Sequence, residues 1–297
     1  MAIAHEYEYF APASLFEATQ ILSQFGKKAA LLAGGTDLIV FIKEGMITPA
    51  AVIDLKRVKD LGGLQIQSDG LFLGAKTTFS DLVNSNAIKQ DYPLLWESAR
   101  SVASVGIRNR ATVVGNICSA IPSMDAAPAL LCYDATVHLI SLGSEREVPI
   151  QEWFVAPRKT LRKPDEIVSG ISLTKPVEKH TAIYLRLGRY KGEDLAQAGL
   201  GILVTQKWEY RLAFCAVAPI PARASSIEGL LFGNKLHPDL ILQAQNLLKT
   251  EIAPINDIRS SARYRTHICK VMLQRGLPAA VDRLKGTTID NAAILGG

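Results

Sequence analysis

Two short polar stretches follow apolar runs, and their residue types suit the binding of an anion. The first, Ala33-Gly-Gly-Thr-Asp37, ends the run that begins at Ala29 and precedes a segment of helical character. Its backbone N–H groups would then point into a concavity at a helix start, an arrangement that holds phosphate. Glycine lets an anion reach the backbone, and Thr36 adds a hydroxyl donor. The second, Thr112-Val-Val-Gly-Asn116, repeats a hydroxyl, a glycine and an amide. Each stretch alone is more often a tight turn, but the pair could grip the two halves of a pyrophosphate. Asp125 lies just beyond, near Ser119 and Ser123. There a carboxylate could accept hydrogen bonds from sugar or ribityl hydroxyls; equally, it could cap a helix opening at Ala126.

Other chemistries lack their residues. G-x-G-x-x-G is missing, which disfavours a Rossmann dinucleotide site, and no Gly-Lys-Ser/Thr completes a phosphate loop. No G-x-S-x-G elbow is present, and His5, His138, His180, His237 and His267 are isolated from Ser or Cys partners. Cys118, Cys132, Cys215 and Cys269 are scattered with no C-x-x-C pair, so this chain is not expected to hold a metal or iron–sulfur site of its own. A cofactor that brings its own redox chemistry would account for the missing acid–base machinery.

The elements that must position these groups are readable in outline. Ser14 with Glu17 reads as a capping box opening a helix that Gly26 stops. Ala29 to Ala33 reads as a buried strand, Leu38 to Glu44 as a helix and Ala51 to Leu55 as a returning strand. A hairpin turns about Asp69-Gly70, Thr77-Thr-Phe-Ser-Asp81 caps a helix, and another helix spans about Tyr92 to Ala103. Ala111 to Asn116 reads as a turn, followed by a helix over Ala126 to Tyr133 and strands near Thr136 to Ser141 and Ile167 to Leu173. Beyond Lys175-Pro176 come long strands, Ala196 to Gln206 and Arg211 to Ala218. Helices over Asp239 to Ile252 and Ser260 to Arg275 complete a separate α+β unit. The tail after Thr287 is expected to be loosely ordered.

Length and composition agree with this division. A chain of 297 residues, 48% hydrophobic, suits two domains. It has no run approaching the roughly 18 apolar residues of a membrane span and no signal pattern at MAIAHEYEYF, so a cytoplasmic location is expected. The formal charge of +5 is dispersed, without a basic run interleaved with aromatics, which argues against nucleic acid. The densest basic segments, Arg186 to Lys191 and Arg259 to Lys270, read as solvated faces or subunit contacts, and the second is a candidate partner surface.

Leu31-Leu-Ala-Gly-Gly-Thr-Asp-Leu38, Ile107-Arg-Asn109, Thr112-Val-Val-Gly-Asn-Ile117 and Asp125-Ala-Ala-Pro128 appear in an order and spacing that resemble the medium, FAD-binding subunit of the xanthine dehydrogenase and carbon monoxide dehydrogenase family. Asp165-Glu-Ile-Val168, Tyr184-Leu-Arg-Leu-Gly-Arg189 with Asp194, Ala218-Pro-Ile-Pro-Ala-Arg223 and Ser261-Ala-Arg-Tyr-Arg265 extend it over nearly the whole chain. The resemblance implies an α+β fold. A two-subdomain FAD-binding domain of the vanillyl-alcohol-oxidase-like (PCMH) type over 1–176 precedes a smaller C-terminal domain over 177–297. It implies noncovalent FAD, its pyrophosphate held by Leu32, Ala33, Gly34, Gly35, Thr36, Asp37 and by Thr112, Val114, Gly115, Asn116. Asp125 and Val168 lie against the flavin, and Val102, Ile107 and Ser119 fall near it.

Two positions depart from the family pattern. Val114 stands where a glycine is usual, and a β-branched residue tolerates positive φ poorly. Arg186 stands where lysine is frequent, which alters geometry around the flavin. The implied role is an electron-transfer subunit of a molybdenum hydroxylase, in a dimer of heterotrimers with a large molybdenum-pterin subunit and a small [2Fe–2S] subunit. Electrons leave through FAD to an acceptor such as NAD. A stand-alone flavin oxidoreductase and a flavin-less structural subunit are the alternatives.

Overall fold

The computed structural model describes residues 5–190 and 193–295. Three short strands, β1 (Glu8–Phe10), β2 (Ala29–Leu32) and β3 (Ala51–Asp54), pair in parallel with β3 in the middle. Parallel strands need crossovers. Here α1 (Leu15–Phe25) supplies one, and α2 (Leu38–Lys43) supplies the return from β2 to β3. Ser14 caps α1 by accepting from Glu17 N at 3.2 Å, and Gly26 ends it at φ 49°. The expected capping box does not close. The Glu17 carboxylate turns to the N–H of Ala13 at 2.8 Å instead.

A second, antiparallel sheet follows. Its strands are β4 (Leu64–Ile66), β5 (Gly70–Gly74), β6 (Thr136–Ser141), β7 (Ser144–Pro149) and, after a side hairpin of β8 (Phe154–Ala156) and β9 (Lys159–Thr160), β10 (Ile167–Thr174). They lie in the order β4-β5-β10-β6-β7. Between β5 and β6 run α3 (Phe79–Asn84), α4 (Asn86–Asp91), α5 (Pro93–Ser101), α6 (Val105–Arg108), α7 (Val113–Ser119) and α8 (Ala126–Cys132), and α9 (Ile150–Trp153) follows β7. Thr78 and Asp81 do form the capping box of α3. The polar stretch 112–116 is a helix start rather than a turn, because Thr112 N-caps α7 and the next residues are helical. Val114 therefore needs no positive φ, and its β-branched side chain is buried at 4% exposure.

The C-terminal part is built on the antiparallel sheet β11 (His180–Leu187), β12 (Ala198–Thr205), β13 (Tyr210–Cys215) and β14 (Ala222–Arg223). Against one face pack α10 (Ser225–Leu231), α11 (Pro238–Glu251) and α12 (Ala262–Leu284), with the short α13 (Asn291–Ile294) at the end. Side chains alternate across the strands. Ile183 and Leu185 enter the core beneath α12, whereas Ala182 and Tyr184 join the core of the five-stranded sheet and its helices. The sheet thus lies between two cores, and every residue of β12 is buried.

Three expectations change in this part. α12 continues nine residues past Arg275, through Gly276 and Pro278, because its buried face packs on β11 and β12 and overrides local breakers. The expected basic surface of that helix is partly internal. Arg265 is 2% exposed, donating to the carbonyls of Gln197 and Ala216 and to Asp257. The tail is not loose throughout, since Ile289, Ile294 and Leu295 pack on the second core; Gly296-Gly297 lie outside the described residues.

Candidate functional site

β2 ends at Leu32, paired with Asp54, and the chain leaves the sheet at the carboxyl end of its parallel strands. Open parallel sheets place ligands there. Gly35 takes φ 80°, a backbone shape that glycine adopts without strain, and its carbonyl accepts the first helical bond from Ile39 N at 3.2 Å. Among the described residues, the N–H groups of Gly34, Gly35, Thr36 and Asp37 donate to no carbonyl or side chain. These four donors stand free to meet an acceptor.

Gly34 has a different reason to be glycine. A Cβ there would lie 2.1 Å from the carbonyl oxygen of Arg110. Its absence lets this loop abut the backbone just ahead of Thr112, so the two polar stretches become neighbours. Ser119 then joins them by donating its hydroxyl to Asp37 Oδ2 at 2.6 Å.

The second stretch works differently from the first. Val113 N donates to Thr77 O at 3.0 Å, Gly115 N to Thr112 Oγ1 at 3.0 Å and Asn116 N to Thr112 O at 3.0 Å. With these N–H groups engaged, the stretch offers the Val114 N–H, the Thr112 hydroxyl proton and the Asn116 amide. Asn116 Oδ1 is buried without a hydrogen-bond partner, so its hydrogen-bonding capacity is unmet within the protein among the described residues.

Both stretches open into one cavity of about 600 Å³, within the usual range for small-molecule sites. Its walls contain Ala33, Gly34, Gly35, Thr36, Asp37, Val102, Ile107, Thr112, Val114, Gly115, Asn116, Ser119, Asp125 and Val168. Two expected residues stand outside it. Leu32 points into a small core with Ile42 and Val52, and Arg186 lies behind the wall. A register irregularity between Val168 and Gly170 in β10 lies beside the wall formed by Ile167 and Val168. Such bulges bend a strand and re-aim its side chains.

Asp125 stands at the N-cap position of α8 and in the cavity wall. Its side chain makes no cap bond to α8. Instead it accepts from the Tyr184 hydroxyl at 2.8 Å and from Arg186 Nε at 3.0 Å. Tyr184 and Arg186 share the face of β11 turned toward the first domain, which is why residues some 60 positions away reach it. Burial pushes the Asp125 carboxyl above its ordinary range, against the opposing pull of Arg186 and Tyr184.

Several wall residues had not been expected: Phe41, Cys118 and Arg162 from the first domain, and Glu193 and Leu195 from the segment ahead of β12. Arg162 is the one cationic side chain in the wall among the described residues, and it donates to Glu166 O at 2.7 Å. Burial pushes the Cys118 thiol up to about 11, which favours its protonated form at neutral pH. Phe41 and Cys118 lie on the helices that the two polar stretches open, whereas Arg162, Glu193 and Leu195 come from segments remote from both. The donor set, dominated by backbone N–H, hydroxyl and amide groups beside apolar walls, fits a dinucleotide with an aromatic ring system.

Comparisons with known proteins agree with this geometry. Residues 5–176 match the family model described as the FAD binding domain in molybdopterin dehydrogenase, and residues 184–280 match the CO dehydrogenase flavoprotein C-terminal domain. The chain is 29% identical over 282 residues to the carbon monoxide dehydrogenase medium chain of Hydrogenophaga pseudoflava, covering 94% of this chain and 98% of that one. It is 28% identical to the xanthine dehydrogenase FAD-binding subunit of Escherichia coli O157:H7, covering 92% and 95%. A solved structure of the Hydrogenophaga pseudoflava carbon monoxide dehydrogenase superposes with a TM-score of 0.91 at 30% identity, over 95% of this chain and 99% of that chain.

Proposed function

Because this chain belongs to the family of FAD-binding subunits of the molybdenum hydroxylases, we propose that it is the electron exit of a complex whose substrate is oxidised on another polypeptide. Bound FAD would supply the interchange between one-electron iron–sulfur carriers and a two-electron acceptor. The protein's part is to hold and orient that cofactor. Gly34, Gly35, Thr36 and Asp37 present free N–H groups to the pyrophosphate, with Thr112 and Asn116 opposite. Val102, Ile107, Val114 and Val168 enclose the apolar rings, and Ser119 and Asp125 complete the wall. Leu32 and Arg186 act from behind it, without touching the cofactor.

The partners follow from the same reading: a large molybdenum-pterin subunit and a small subunit with [2Fe–2S] clusters, assembled as a dimer of heterotrimers. NAD is the proposed acceptor, the cytoplasm the proposed location, and residues 1–176 and 177–297 the proposed domains. FAD is held noncovalently, supported by the absence of histidine from the wall among the described residues and by the protonated Cys118 thiol.

The observation that carries the proposal is the single cavity lined by both polar stretches, where Gly34, Gly35, Thr36 and Asp37 keep backbone N–H groups unengaged among the described residues. The test is an absorption spectrum of the purified chain before and after denaturation, with the released chromophore identified by chromatography. FAD near one per chain is expected. A chain that carries no flavin and takes up none when FAD is added would overturn it.

A further inference from the structure

Arg186 is 13% exposed at its side chain, and its two arms reach opposite sides of the domain boundary. Nε donates to Asp125 Oδ1 of the first domain at 3.0 Å, and Nη2 donates to the backbone oxygen of Asp194. Both acceptor residues line the cavity, whereas Arg186 itself does not. The Asp194 carboxylate is held in turn by Arg189, through its N–H at 2.5 Å and Nη2 at 3.1 Å, and Gln197 N returns to Leu187 O at 2.8 Å. The residues on either side of Asp194, Glu193 and Leu195, form part of the cavity wall, and Leu195 remains 54% exposed at its rim. It is not anchored by packing in a core.

We infer that Arg186 is a positioning residue that latches the Glu193–Leu195 segment of the C-terminal domain across the FAD cavity, using Asp125 as its anchor on the other side. The inference rests on FAD occupying that cavity. Its physical basis is the fork of the guanidinium, whose donors are fixed in one plane and can bind two acceptors at once; a lysine ammonium is a point charge on a flexible stem. Parity on β11 aims this fork at the boundary, since Arg186 shares the outward face of Tyr184. With the latch closed, Leu195 sits at the mouth and bound flavin is shielded from solvent. With it broken, the segment loses its tie to the first domain while the rest of the sheet keeps its ladder.

Amide hydrogen exchange at Arg189 and Leu195, measured in the full chain without added cofactor, tests the latch independently of flavin. Arg186→Lys keeps the cation opposite Asp125 but cannot span both acceptors. Exchange at these amides should accelerate roughly tenfold or more, the equivalent of losing one hydrogen bond to a charged group. Asp125→Ala, which removes the acceptor that Arg186 Nε uses, should do the same. In the FAD-loaded chain, Arg186→Lys should raise flavin release and iodide quenching of flavin fluorescence by a similar factor. Exchange at the wild-type rate in both variants overturns the latch. A wild-type chain that binds no FAD instead overturns the functional reading, and the exchange result still decides the latch.

Discussion

The Ser119 hydroxyl donates to the Asp37 carboxylate at 2.6 Å across 82 positions of sequence, joining the last residue of α7 to the residue before α2. Through it the two halves of the cavity wall hold a fixed separation. Replacing Ser119 with alanine removes a hydrogen bond to a charged acceptor, worth about 1.5–3 kcal/mol. FAD affinity of the stripped chain should fall roughly ten- to hundredfold by fluorescence titration. Unchanged affinity would mean that the two loops are set independently.

Gly34→Ala places a methyl group where the Arg110 carbonyl oxygen lies 2.1 Å away. Neither partner is a flexible side chain, so the loop must move bodily, at about 1–3 kcal/mol for overpacking. The purified variant is expected to carry little flavin, judged by the ratio of visible to protein absorbance, and to melt several degrees lower. A variant with full flavin content would show that the close approach of the loops is dispensable.

Val114→Gly makes the second stretch more like the family pattern, yet it should not tighten FAD binding. Val114 is helical and buried. Glycine there loses helix propensity and apolar packing together, about 2–4 kcal/mol in all. Lower stability in urea with equal or weaker FAD affinity is the expected pair of results, and stronger binding would contradict it.

Glu166 precedes the cavity residue Ile167 and is held by Arg146 at 2.6 and 2.8 Å and by Lys163 N at 2.6 Å. Burial acts to raise its carboxyl pKa, but these bonds outweigh it and hold the value below the ordinary range. A carboxylate depressed in the folded state contributes stability above its unfolded value, near 4.3, and loses it as pH falls through the folded one. Glu166→Gln should therefore destabilise the chain at pH 7, by roughly 1–3 kcal/mol, and by less at pH 3. Urea unfolding at both pH values measures the gap; a gap that stays constant would falsify this account.

Features governed by near neighbours were legible in the residues themselves. Ser14 and Thr78 as helix caps, Gly26 as a stop and the strands flanking Asp69-Gly70 all rest on bonds spanning a few residues, and β2 before Gly34-Gly35 showed as an apolar run although its ladder partner is β3, some 22 residues on. The ordered motifs also carried the family and hence the cofactor. At Thr112-Val-Val-Gly-Asn116 the same local logic pointed to a turn, because valine and glycine are weak helix formers. There the helix start is held by Val113 donating to Thr77 O and by the Thr112 cap.

What the amino-acid order settled was the set of donors and their places along the chain; what the tertiary structure alone decided was which of them face one another. Gly34 is required by the backbone of Arg110, Asp125 is claimed by Tyr184 and Arg186, and Leu195 reaches a wall built by the other domain. Each of these follows from strand parity and sheet packing over separations of about 60 residues or more. No local propensity encodes such a distance: Gly34 and Arg110 meet when the first core closes, and the other partners when two cores close on opposite faces of β11.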